Sequence, residues 1–264
     1  MKMTVVQYMK NIVLSTNYLT PVIMRSTRAY DSGQIPYIIM KRKKIIIITD
    51  SVSMPRHGLP YEETWIHMLK REFPAYDIMD RSARGSTSTR LVTEGGGGAD
   101  LLESYMPDLV ILQIGMAEAA PRLFDKRGLE FAIVSRYMPP RLRQRYIEFV
   151  KRRRVRSPEI TDVTPEQFRI NIAAFFERAR KISARIILIP ILPTTDDYAR
   201  KSPHAPKNVE RYNAIYRETA ALFDNVTIVD PFRPGIDIND ISIDELHINH
   251  EGSKLIFNAL RPLL

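Results

Sequence analysis

Cysteine is absent from the 264 residues of this chain, which removes disulfides, thiolate metal sites and a cysteine nucleophile together. Such a chain fits a reducing compartment. Long apolar runs are missing too: nothing approaches the roughly 18 consecutive residues that a membrane-spanning helix requires. Residues Met1 to Lys10 lack the charged start, apolar stretch and cleavage site of a secretory leader, so a cytoplasmic location is expected. Acid is the scarcer charge, with 30 Asp and Glu against 39 Lys and Arg. What remains is an ordinary globular mixture, 44% hydrophobic and 26% charged, on a length that suits one α/β core.

The excess base is unevenly spread. Arg136 to Arg156 holds nine Lys and Arg against the single acid Glu148, and Met1 to Lys44 holds eight against Asp31. Taking that +8 and +7 from the total of +9 leaves the remaining residues at −6. A mildly acidic body therefore carries two basic appendages. Such appendages suit nucleic acid, anionic lipid or an acidic glycan, and equally a solvated helix face. No recognised nucleic-acid module accompanies the charge, so sequence-specific recognition of nucleic acid is not expected.

Apolar runs alternate with amphipathic stretches of helical length, the pattern of a parallel sheet covered on both faces. Strands are predicted near 44–49, 76–80, 108–114, 185–190 and 225–229, with helices near 61–72, 99–105, 165–182, 207–222 and 251–260. The helix at 165 opens on Thr164-Pro165-Glu166-Gln167, a cap followed by proline at the first helical position. Phe168, Ile172, Phe175, Phe176 and Ala179 then recur at helical spacing and read as core. Two regions break the alternation: an N-terminal extension over 1–43, and a basic insertion over about 122–163 in which helices are expected. The rest of 44–264 forms one domain. Gly95 to Gly98 reads as a connector, since it follows no strand and lacks the lysine spacing of a phosphate loop.

Chemistry concentrates at two distant points. Ser51 follows the first strand in Thr49-Asp50-Ser51-Val52-Ser53, at the sheet edge where parallel folds bind ligands. Asp244-Glu245-Leu246-His247 places a carboxylate three residues before a histidine. Together these supply a nucleophile, a base and an orienting acid for acyl transfer. Taken singly, Ser51 also fits a helix cap, and the Asp-x-x-His pair a helix start with a surface histidine. His57 reads as a loop residue. His250 lies three residues after His247, but no ligand cluster accompanies it and no metal is expected.

These segments, with two more between them, resemble the SGNH (GDSL-type) hydrolase superfamily over about residues 43–261. Thr49 to Ser53 is similar to its first block, Gly-Asp-Ser-x-Ser, and Asp244 to His247 matches the last, Asp-x-x-His. Arg84-Gly85-Ser86-Thr87 resembles the second block, and Gln113-Ile114-Gly115-Met116-Ala117-Glu118 occupies the place of the third, Gly-x-Asn-Asp. The resemblance implies a flavodoxin-like three-layer α/β/α fold with a five-stranded parallel sheet. It implies Ser51, His247 and Asp244 as the triad, Asp50 as an organiser of the nucleophile turn, and backbone donors at Ser51 and Gly85, with Gly115 beside them. It also implies ester hydrolysis without a cofactor, on a small O-acyl group, acetyl foremost, of a carbohydrate or related polar molecule.

The sequence departs from the pattern twice. Ala117 stands where the family's asparagine would give a third oxyanion donor, and losing one such donor typically costs 10²–10³ in rate. Thr49 replaces the first-block glycine, where a side chain threatens to crowd the turn. Arg122 is the candidate replacement donor, its alternative being a surface ion pair to Glu118; a guanidinium there favours an anionic substrate. Two other readings stay open: an O-acyltransferase of polysaccharide assembly, and a noncatalytic binder of acidic glycan that retains the fold. The basic insertion reads as a lid, a contact between copies or a peripheral membrane contact.

Overall fold

Four consecutive β-branched residues, Ile45 to Ile48, stiffen the backbone at χ1 and favour extended structure. In the computed structural model, which describes residues 42–93, 101–153, 159–232 and 235–264, they form the centre of β1 (Lys44–Thr49). All four are fully buried, each contributing about 1.5–3 kcal/mol. Side chains alternate between sheet faces, so complete burial of successive residues means that both faces are covered.

The other strands are β2 (Asp77–Asp80), β3 (Leu109–Gln113), β4 (Arg185–Leu188) and β5 (Val226–Ile228). All pairings are parallel, in the order β2-β1-β3-β4-β5. In register, Ile45 lies opposite Leu109 and Thr49 opposite Gln113. The chain leaves β1 toward one edge and returns to β3 on its other side, so the connections diverge there. That divergence opens a crevice at the carboxyl ends of β1 and β3.

Helices α1 (Trp65–Glu72), α2 (Met116–Ala119), α3 (Leu129–Ala132) and α4 (Pro140–Arg153) precede α5 (Pro165–Lys181), α6 (Asp196–Lys201), α7 (Ala205–Ala220) and α8 (His250–Leu260). α1 packs on α8, and α5 on α7. Thr164 caps α5 as its sequence indicates, accepting from the Gln167 N–H at 3.2 Å, and the inner face of α5 is the expected Phe168, Ile172, Phe175, Phe176 and Ala179. Phe168 meets the rings of Tyr212 and Tyr216 edge-on, both 5.0 Å away.

Most elements lie within two residues of their predicted bounds. Between 61 and 72 the helix starts only at Trp65, because Thr64 is extended and caps it after a short 3₁₀ turn at Tyr61–Glu63. At 99–105 the described part is a single helical residue, Leu101, followed by turns. α6 has no counterpart in the sequence reading; Thr195 caps it, and Asp196 and Asp197 favour its N-terminus. The insertion does contain helices, α3 with a following π-turn (Ile133–Tyr137) and then α4. Of the N-terminal extension over 1–43, residues 1–41 lie outside the described residues, as does the glycine connector at 95–98. Among the described residues, no helix is long and apolar enough to cross a membrane.

Candidate active site

The end of β1 dictates the shape of the serine turn. The buried Asp50 carboxylate accepts from the Val52 N–H at 2.9 Å and so caps the 3₁₀ turn Ser51–Ser53. Burial pushes the Asp50 carboxyl up to about 6, against backbone N–H groups of Val52 and Met116 that favour its charged form. Met116 opens α2 after β3, so this one carboxylate ties two strand ends together. The Ser53 hydroxyl donates to the Gln113 side chain, a second tie between the same ends. Thr49 does not crowd the turn: its hydroxyl lies 2.8 Å from Ser82 Oγ on the β2 side.

Ser51 Oγ stands 3.1 Å from His247 Nε2, across 196 positions of sequence. On the opposite ring edge, His247 Nδ1 lies 2.7 and 2.8 Å from the two Asp244 carboxylate oxygens. An ionised carboxylate only accepts, so Nδ1 carries the proton and Nε2 is left to accept from the serine hydroxyl. The loop is held by its own backbone: Leu246 and His247 N–H groups both donate to Asp244 Oδ1 at 2.9 Å, and Ile243 N–H donates to the His247 carbonyl at 2.8 Å. Partial burial raises the Asp244 carboxyl, but hydrogen bonds from Leu246 and His247 outweigh it and hold the group below its ordinary value. Partial burial holds the His247 imidazole below its ordinary value; Asp244 pulls it up, while Arg56 and Arg84 push it further down. The result is a neutral base beside an ionised acid.

Two arginines that the sequence reading passed over belong to this arrangement. Arg56 donates through Nη2 to the Ser51 carbonyl, while Nη1 lies 3.5 Å from Asp244 Oδ2. Its side chain is only 13% exposed. Arg56 and Leu59 exchange backbone hydrogen bonds of 2.9 and 3.0 Å, closing a turn in which Gly58 has φ +83°. A Cβ on Gly58 would stand 2.4 Å from Ile243 Cδ1, so glycine lets the serine-side loop press against the histidine loop. Arg84 donates to the Pro55 carbonyl at 2.9 Å.

Donors for a developing oxyanion are available. Among the described residues, neither the Ser51 nor the Gly85 backbone N–H donates a hydrogen bond. Gly115 adopts φ +117° at the start of α2, and a Cβ there would meet Ile191 Cδ1 at 2.6 Å. Arg122 is not joined to the serine relay: Nη2 donates to the Ala117 carbonyl at 2.7 Å and to Asp162, closing the base of the insertion. The predicted alternative partner is also corrected, because Glu118 points inward. Its buried carboxylate accepts from the Ser88 N–H, and burial pushes it up to about 7. Asn171 Nδ2 in turn donates to Ser88 Oγ at 3.1 Å.

His57 is an exposed loop residue, and His250 Nδ1 lies 3.6 Å from Glu63. Asn213 brackets Ile191, accepting from its N–H at 2.8 Å and donating to its carbonyl at 3.0 Å. Among the described residues, no group of three or more His, Asp or Glu side chains is arranged to hold a metal ion.

No curated protein matches the sequence. Solved structures do match the fold. A GDSL-like lipase from Bacteroides thetaiotaomicron aligns over 84% of this chain and 87% of its own, at 16% identity and a TM-score of 0.55. A catalytic mutant of an acetylxylan esterase from Geobacillus stearothermophilus aligns over 83% and 93%, at 14% identity and a TM-score of 0.52. An acetyl xylan esterase aligns over 84% and 99%, at 16% identity and a TM-score of 0.53. The model of the GDSL-like lipase/acylhydrolase family matches residues 48–255, from the end of β1 into α8; the chain belongs to that family and is an ester hydrolase.

Proposed function

We propose that the enzyme removes a small O-acyl group, acetyl foremost, from a carbohydrate or similarly polar alcohol through an acyl-Ser51 intermediate. The observation that carries this reading is the unbroken relay from Ser51 Oγ to His247 Nε2 at 3.1 Å and from His247 Nδ1 to Asp244 at 2.7 Å. In the first half-reaction Ser51 Oγ bonds to the acyl carbon, and its proton passes to His247 Nε2. The bond from acyl carbon to alkoxy oxygen then breaks, and the same proton leaves with the alcohol. In the second half-reaction water attacks the acyl-enzyme, His247 takes its proton, and the free acid departs as Ser51 regains its hydrogen. The N–H groups of Ser51 and Gly85 stabilise the tetrahedral oxyanion in both halves.

The side chain of Asp244 is 47% exposed, so the relay opens to solvent, which favours water over a sugar hydroxyl as acceptor. The acetyl-carbohydrate class draws its support from fold neighbours named as acetylxylan esterases. The test is hydrolysis of p-nitrophenyl acetate and of acetylated xylo-oligosaccharide by wild type and Ser51→Ala. A fall of about 10⁴ to 10⁶ in turnover is expected for the variant. Equal rates would remove the mechanism. Acetyl moving to added sugar in preference to water would favour the transferase.

A further inference from the structure

The segment from the end of β2 through the short 3₁₀ turn Ser88–Leu91 carries three arginines, and two of them are engaged away from the relay. The Arg81 guanidinium lies 4.6 Å from the Tyr105 ring centroid, and Arg90 Nη1 donates to the Arg81 carbonyl at 2.6 Å. Arg84 is different. It is exposed, and one nitrogen, Nη2, is anchored to the Pro55 carbonyl. No carboxylate pairs with it among the described residues. Pro55 precedes Arg56, whose guanidinium touches both the Ser51 carbonyl and Asp244, so Arg84 is two links from either end of the relay. It also directly precedes Gly85, beside which a Cβ would find nothing within 4 Å. An anchored guanidinium thus borders open space next to an unused backbone donor.

The charges around this rim do not balance. Arg56 and Arg84 face one ionised carboxylate, Asp244, with the neutral His247 imidazole between the loops and the buried Asp50 behind them. Arg56 is committed: its terminal nitrogens serve Ser51 and Asp244, and its Nε is buried. A guanidinium presents five N–H donors, and Arg84 spends one of them inside the protein. The remainder form a planar fork suited to two oxygens of one anionic group. We infer that Arg84 is an anion subsite of the Ser51 site, and that the natural ester carries a carboxylate or phosphate close to its acyl group. This inference rests on the ester-hydrolase reading and narrows its substrate.

Three probes separate the two. They are methyl 2,3,4-tri-O-acetyl-glucopyranosides that differ only at carbon 6, as hydroxymethyl, carboxylate or phosphate. Calorimetric binding is measured on full-length Ser51→Ala, with and without Arg84→Ala or Arg84→Lys, and hydrolysis is measured on wild type and on Ser51→Ala. A charge-assisted pair at this rim gives the anionic sugars an advantage of about 10- to 100-fold over the neutral one. Arg84→Ala brings that ratio toward one, Arg84→Lys keeps part of it, and added salt erodes it in the parent protein. Because the ratio is taken within one preparation, a poorly folded fraction does not alter it. Equal affinities for all three sugars, no binding of any, or a ratio that survives Arg84→Ala would each overturn the subsite. Hydrolysis reports separately on the serine reading: rates that ignore Ser51→Ala would end that reading whatever the binding shows. The carboxylate and phosphate arms identify which anion is preferred.

Discussion

The loops around Ser51 and the hairpin of α3 and α4 are both rich in arginine, yet they use it in opposite ways. Around the serine, Arg56 and Arg84 each donate to a backbone carbonyl, of Ser51 and Pro55 respectively. On the hairpin, the side chains of Arg136, Arg141, Arg145, Lys151 and Arg152 make no hydrogen bond or ion pair among the described residues. A charge bonded to a fixed carbonyl has a fixed direction and acts on particular neighbours. A charge on a solvated stem acts only through a field that salt screens within about 8 Å at physiological strength. The first kind tunes a reaction; the second favours association with an oppositely charged surface. Leu129 and Tyr137, 84% and 74% exposed beside those cations, give the hairpin an apolar component as well.

The comparison is tested first where the largest loss is expected. Asp244→Asn keeps the size of the acid but removes the charge that fixes the His247 tautomer, and turnover should fall about 10⁴-fold. A loss below tenfold, read from the steady-state rate on p-nitrophenyl acetate, would mean that the relay is not the engine. Arg56→Ala comes next, with about 10- to 100-fold lost in kcat/KM, a size typical of one misplaced positioning contact. It also has a signature in pH. Arg56 helps hold the His247 imidazole down, so removing it raises that group, and the acidic limb of kcat/KM must move to higher pH. A rate loss with an unmoved limb would reduce Arg56 to packing. Smallest is the hairpin. Exchanging Arg141, Arg145, Lys151 and Arg152 for Gln together should change kcat/KM on a neutral ester by less than about twofold at 0.15 M salt. A tenfold change would show that these cations reach the chemistry and erase the contrast.

The sheet was legible because its information is local: Ile45 to Ile48 and Leu109 to Leu112 name their own strands and their double-sided burial. Ser51, Asp50 and the Asp244–His247 pair were legible because short motifs encode their geometry within a few residues. Arg56 was not, since its role depends on a turn closed through Gly58 and on contact with Ile243, 185 positions further on. Arg122 and Glu118 misled for a related reason. Proximity in sequence suggested that they pair, whereas the register of α2 turns Glu118 inward toward Ser88 and leaves Arg122 to meet Asp162 across 40 residues. Periodicity over four helical residues is too short to reveal which side faces the core.

Glu118 and Asp50 also have a thermodynamic consequence for the whole fold. Both carboxyls titrate higher when folded, at about 7 and about 6, than in an unfolded chain. The native state therefore retains protons that the denatured state has already released between about pH 4 and 7, and it loses resistance to unfolding as pH climbs through that window. Melting curves of wild type should fall relative to Glu118→Gln between pH 5 and pH 8, whereas parallel curves would mean that Glu118 is already charged at the lower pH. These two buried acids act as a brake on the fold's tolerance of alkali, set against the acid sensitivity of the depressed Asp244 and His247.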